Sequence, residues 1–194
     1  PLFTALLTLI ALGANAQTRL DNELEIRKAL GTDAYRVLPT IGRVKIAVID
    51  NGFGGYTPNV DLLPQNTIKP EDFPNQSAAR PQGEDPHGLG MAQILWGVTG
   101  RQPEGPELYL LNSNGYTNFK WAVEYAIKKK VDIILYAQTW EFGGNFDGTG
   151  FINEIVNKAT DAGIIWINAA GNNGGNVYNG DVDVDSSSGL VRLP

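Results

Sequence analysis

Hydrophobic and polar positions along the chain alternate between short apolar runs and longer amphipathic stretches. Val44-Lys45-Ile46-Ala47-Val48-Ile49 is almost wholly apolar or β-branched and ends on Asp50, so it reads as a strand. Leu108 to Leu111, Val131 to Tyr136 and Ile164 to Asn168 read the same way. Between these runs, Gly88 to Trp96, Asn118 to Lys130 and Phe151 to Ala162 predict helices. Thr117 or Asn118 is placed to cap the second of them. Lys128, Lys129 and Lys130 sit at its end, where the macrodipole favours cations, and Gly163 stops the third. Short apolar strands separated by helices predict an α/β fold, a mostly parallel sheet with helices on both faces. Sheets of this kind hold their ligand sites at the carboxyl ends of the strands.

The flanking segments have a different character. Residues 51 to 86 are rich in Gly, Pro, Asn and Asp and read mostly as loop. Asn22 to Leu30 predicts a short helix stopped by Gly31. Leu2 to Leu12 is nearly continuous apolar sequence followed by Ala14-Asn15-Ala16, the pattern of a secretory signal's apolar region and cleavage site. A buried N-terminal helix is the alternative. The run is too short to span a bilayer as a mature helix, so no stable membrane span is expected. Without an initiator Met or a basic leader, the sequence is expected to start inside its signal peptide, and the protein to be secreted, periplasmic or extracellular.

Charge and cysteine usage narrow the chemistry. Fifteen basic and 21 acidic residues give a net charge of -6, against the basic face that nucleic-acid binding requires. The absence of cysteine removes disulfides, thiolate catalysis and zinc–thiolate sites.

Three residues at predicted strand or helix ends carry candidate chemistry. Asp50 closes the first strand and precedes Asn51-Gly52. A carboxylate there is partly desolvated and needs a partner, although a turn aspartate bonded to nearby backbone is the plainer alternative. His87, the single histidine, opens a predicted helix in Asp85-Pro86-His87-Gly88-Leu89-Gly90-Met91-Ala92. It is suited to proton transfer near neutral pH, and a surface or capping histidine is its alternative. Asn172 follows Ala169-Ala170-Gly171 after the fourth strand, where an exposed amide could donate to a developing oxyanion or simply shape a turn.

Taken in order, these segments resemble the subtilisin-like serine proteases. Val44 to Gly52, V-K-I-A-V-I-D-N-G, is similar to the family's aspartate motif, and His87 to Ala92 to its His-Gly-x-x-x-Ala motif. Ile164 to Gly174, I-I-W-I-N-A-A-G-N-N-G, is similar to its oxyanion motif, and the Asp-then-His order is the family's. The resemblance covers roughly residues 42 to 175. It implies a subtilisin-like fold, C-terminally incomplete here, and a secreted endopeptidase acting on polypeptide substrates. In that reading Asp50 orients His87, His87 is general base and then acid toward a serine, and Asn172 is the oxyanion donor. The resemblance also implies peptide binding along Asn112 to Gly115 and along Ala137, Gln138 and Thr139. Ala169, Ala170 and Gly171 would line the pocket for the side chain before the cut bond.

The sequence also departs from the family. Ala137-Gln138-Thr139 stands where Ser-Leu-Gly is usual, and Leu89-Gly90 replaces Thr-His, so the chain reads as a divergent member. No Gly-Thr-Ser-Met-Ala run occurs, and the nucleophilic serine is expected outside this sequence. By this reading residues 1–16 are a signal peptide, 17–41 an extension or pro-segment remnant, 42–175 a partial catalytic domain, and 176–194 an irregular or β-rich segment. No cofactor is expected. Asp181, Asp183 and Asp185 alternate and could hold a structural calcium, or form one solvated strand face. Two other functions compete: a non-catalytic peptide-binding module of the same fold, and a nucleotide site at Gly52-Phe53-Gly54-Gly55. The second lacks the helix that a phosphate loop must run into, because Pro58 and a polar loop follow.

Overall fold

The computed structural model describes residues 22–32, 43–56, 63–70, 85–99, 105–141, 143–145, 147–174, 183–189 and 191–192. The expected signal peptide lies outside the described residues, as do Asp181 and the phosphate-loop-breaking Pro58. Residues 22–30 are helical (α1), as the polar-ended pattern there predicts.

Four strands form one parallel sheet: β1 (Lys45–Asp50), β2 (Glu107–Asn112), β3 (Ile133–Tyr136) and β4 (Ile165–Asn168), in the order β2-β1-β3-β4. The register pairs Asp50 with Asn112 and Ile49 with both Leu111 and Tyr136, so the strand ends are level. Tyr136 pairs with Asn168 on the far side. This is the α/β architecture expected from the alternation of apolar runs and helices.

Both faces of the sheet are covered. Ile46, Val48, Leu108 and Leu110 point to one face and pack with Ala92 and Trp96 of α2 (His87–Val98). Ala47, Ile49, Tyr109, Leu111, Ile134 and Tyr136 point to the other. There they meet α3 (Tyr116–Lys129) and α4 (Phe151–Asp161) through Phe119, Ala122, Val123, Ile152 and Ile155. Period-2 alternation in the strands sorts the side chains into these two layers. The central strand β1 is buried on both faces, which is why its sequence is nearly continuous apolar residues and not alternating ones. Cover is thinner at the β4 edge, where Ile165 and Ile167 are exposed, because among the described residues α2 packs chiefly over β1 and β2.

Helix α2 runs to Val98, two residues past the expected end, and the start of α3 departs from the sequence expectation with a structural cause. Helix α3 begins at Tyr116, with Gly115 at its N-cap in a positive-φ conformation (84°), and no side chain caps it. Asn118 is buried inside the first turn and donates to the Asn114 carbonyl. A polar side chain drawn inward to satisfy a loop carbonyl is lost as a cap. Lys130 takes the left-handed C-cap (φ 55°), behind Lys128 and Lys129 in the last turn. Near the chain's end β5 (Asp183–Val184) pairs antiparallel with β6 (Val191–Arg192), so this region carries a short hairpin. No helix among the described residues is long and apolar enough to cross a membrane.

Candidate active site

Strand order places the site. The connection from β1 passes through α2 to β2 on one side, while β3 and β4 lie on the other side of β1. The connections therefore diverge at the carboxyl ends of β1 and β3, the crevice where open parallel sheets bind ligands. Asp50 ends β1, and Ala137 and Gln138 follow β3 at this crevice.

Asp50 is completely buried. A buried carboxylate is costly unless its oxygens are satisfied, and here each oxygen has donors. The Asn51 N–H donates to Oδ1 at 2.7 Å, and the Gln138 side-chain amide donates to the same oxygen at 3.2 Å. Oδ2 lies 2.7 Å from Nδ1 of His87. Because a carboxylate only accepts, this contact puts a ring proton on Nδ1 and turns Nε2 outward as the acceptor. The His87 side chain is 48% exposed, so the imidazole has one edge on a buried carboxylate and the other toward solvent.

Two glycines bring Asp50 and His87 together. The loop after β1 is clasped to the head of α2 by paired backbone bonds, Gly54 N–H to the Asp85 carbonyl (2.9 Å) and Gly88 N–H to the Gly52 carbonyl (3.0 Å). A Cβ at Gly52 would sit 2.6 Å from the Asp85 oxygen, and one at Gly88 would sit 2.6 Å from the Asp50 Cβ. Gly88 permits this close packing from inside the first turn of α2 and leaves the His87 ring accessible. The Asp85 carboxylate accepts the His87 main-chain N–H at 2.9 Å, at a helix N-terminus that favours negative charge.

The remaining candidates are distributed along the same sheet end. Asn112 uses its side chain locally, donating to the Asn51 carbonyl and accepting the Asn114 N–H. Gly115 opens α3. The Ala137 N–H donates to the Ile49 carbonyl, which ties the segment after β3 to β1. Gln138 does not simply line a groove: its side chain is turned onto Asp50, and its carbonyl accepts from the Asn168 amide. Thr139 is exposed, and its methyl lies 3.4 Å from where a Cβ on Gly171 would be, so it stands beside the segment after β4. Ala169, Ala170, Gly171 and Asn172 follow β4 in an exposed loop, at the same sheet end as Asp50 because all four strands are parallel.

Tyr136 is a neighbour that sequence patterning assigns only to the core. Burial pushes its phenol up, the neighbouring Ser113 and Trp140 side chains oppose this, and the Asp50 carboxylate adds to the rise. It packs with Phe119 and Trp166 beneath the site. For the three alternating aspartates, the described part shows Asp183 exposed on β5, and Asp185 in a turn accepting the Ser187 and Ser188 amides and hydroxyls. Among the described residues no group of acidic or imidazole side chains is placed to hold a metal.

No family model matches the chain. The chain is similar to subtilisins: it is 30% identical over 148 residues to subtilisin amylosacchariticus of Bacillus subtilis subsp. amylosacchariticus, covering 70% of this chain and 36% of that protein. The same identity and coverage relate it to subtilisin J of Geobacillus stearothermophilus. Against subtilisin of Bacillus pumilus the figures are 30% over 148 residues, 70% of this chain and 50% of the relative. The chain thus spans between about a third and a half of the length of the curated relatives it matches.

Proposed function

We propose that the whole protein is a secreted subtilisin-like serine endopeptidase, to which this chain contributes the aspartate, the histidine and the oxyanion donor. The observation that carries the reading is the buried Asp50 carboxylate 2.7 Å from Nδ1 of a half-exposed His87, at the switch point of a parallel sheet. The likeness to subtilisins supports it independently of geometry.

The mechanism follows from the two ring nitrogens. Asp50 holds the proton on Nδ1 and stabilises the imidazolium that forms when Nε2 takes a proton from a serine hydroxyl. The hydroxyl oxygen attacks the peptide carbonyl, and the carbonyl electrons move onto its oxygen. Asn172 donates to that oxyanion from the loop after β4. When the intermediate collapses, His87 returns the proton to the leaving amine; water then repeats the cycle on the acyl-enzyme. A polypeptide substrate lies extended along the segments after β2 and β3, near Asn112 to Gly115 and Ala137 to Thr139. The family's Gly-Thr-Ser-Met-Ala run does not occur in these 194 residues, so the assay of the reading needs the product of the full coding sequence.

The test is a fluorogenic peptide assay on the product of the full coding sequence, with and without a serine-directed phosphonate. Phosphonate-sensitive turnover that disappears in His87→Ala supports the reading. A full-length protein that binds peptides without cutting them overturns it in favour of a non-catalytic module of the same fold.

A further inference from the structure

The Asp50 carboxylate has more to hold it than the histidine alone. Its Oδ2 faces His87, whereas Oδ1 takes two donors, the Asn51 main-chain N–H and the side-chain amide of Gln138, 88 residues away in sequence. Gln138 is itself anchored on the sheet: the neighbouring Ala137 N–H bonds to β1, and the Gln138 carbonyl accepts from Asn168 at the end of β4. The amide thus reaches Asp50 from a fixed base across the β1–β3 crevice.

We infer that Gln138 is a positioning residue for Asp50, fixing the rotation of its carboxylate and drawing part of its charge away from His87. This goes beyond the proposed triad, on which it rests. A donor on Oδ1 holds Oδ2 in the plane that meets the imidazole, and a hydrogen bond to the charged form spreads its negative charge. The imidazolium then receives less stabilisation than an unassisted carboxylate would supply. The bond from the His87 Nδ1–H to Oδ2 is therefore weaker than in an Asp50–His87 pair without Gln138.

Charged and titratable groups around the ring among the described residues are few. Asp50 comes from β1 and Asp85 from the head of α2, and Tyr136 of β3 lies close enough to Asp50 to feel its charge, with a phenol that burial keeps neutral. None of these changes when Gln138 is replaced. With one histidine in the sequence, the imidazole resonances are unambiguous.

The experiment is proton–nitrogen NMR of the His87 ring at one fixed pH in the 194-residue chain, its Gln138→Leu and Gln138→Met variants, and Asp50→Asn. Backbone spectra report folding in each. Removing the amide is expected to move the Nδ1–H resonance downfield, because Oδ2 then accepts more strongly, and Asp50→Asn to move it upfield. An unchanged or upfield Nδ1–H signal in a folded Gln138 variant, with Asp50→Asn still acting on it, overturns the role of Gln138 alone. If Asp50→Asn leaves the signal where it was, the Asp50–His87 pair is absent and the proposed function falls with it.

Discussion

A Cβ placed on Gly88 would lie 2.6 Å from the Cβ of Asp50, and equally close to the Gly52 carbonyl oxygen. Neither is the far end of a flexible side chain, so α2 or β1 would have to move. Gly88→Ala is therefore expected to destabilise the fold by about 1–3 kcal/mol, outweighing alanine's better helix propensity. It should also separate His87 from Asp50. Gly90 lies in the same helix turn with nothing within 4 Å of its built Cβ. Gly90→Ala is expected to stabilise by about 0.5–1 kcal/mol. Urea unfolding of the two variants side by side checks the contrast; equal effects would remove the close-approach explanation.

For the full-length protein, Asp50→Asn keeps the shape of the buried side chain but no longer favours the productive ring tautomer. A loss of about 10⁴ in kcat is expected, with KM little changed. His87→Ala should remove at least as much. Steady-state kinetics on a peptide substrate decide this, and near-native rates in either variant would take that residue out of the mechanism. The 194-residue chain alone is expected to show no phosphonate-sensitive turnover.

Phe119 is fully buried and its ring contacts those of Tyr136, Trp140 and Trp166 at centroid distances of 5.2 to 6.2 Å. It joins α3 to the sheet directly below the candidate site. Phe119→Ala should cost about 3–5 kcal/mol, through lost burial and the cavity left behind. Denaturant unfolding followed by tryptophan fluorescence measures both the loss and the altered indole surroundings.

The Asp185 carboxyl is held well below the usual carboxylate range, first by the Ser187 hydroxyl and then by the Ser188 and Ser187 amides and the Ser188 hydroxyl. A group depressed in the folded state stabilises above its unfolded value, about 3.9, and that contribution fades as pH falls through the folded value. The turn is fully exposed, so the effect is local. Ser187 and Ser188 amide shifts should stay constant from pH 7 through the ordinary carboxylate range and move only below it. In Asp185→Ala their native positions should be lost at every pH. Movement of the wild-type signals near pH 4 would show that the turn does not hold the charge.

Much of this was legible in the chain because it depends on near neighbours. Apolar runs closing on Asp50, Leu111, Tyr136 and Asn168 mark four strands, since alternation and β-branching act over a few residues. His87 at a helix start and Asp50 at a strand end are local facts as well, and their order with the Asn172 loop suffices for the likeness to subtilisins. Other features were decided only by packing. Asn118 looks like a cap until the loop carbonyl of Asn114 turns it inward. Gly52 and Gly88 look like turn residues until their backbones are seen clasped together. Gln138 reads as groove lining until the crossover brings it onto a carboxylate 88 residues away. The pairing of His87 with Asp50 spans 37 residues in the same way. Local pattern selects strands, helices and reactive side chains; distances between side chains remote in sequence depend on how crossovers stack those elements, which no short window of sequence contains.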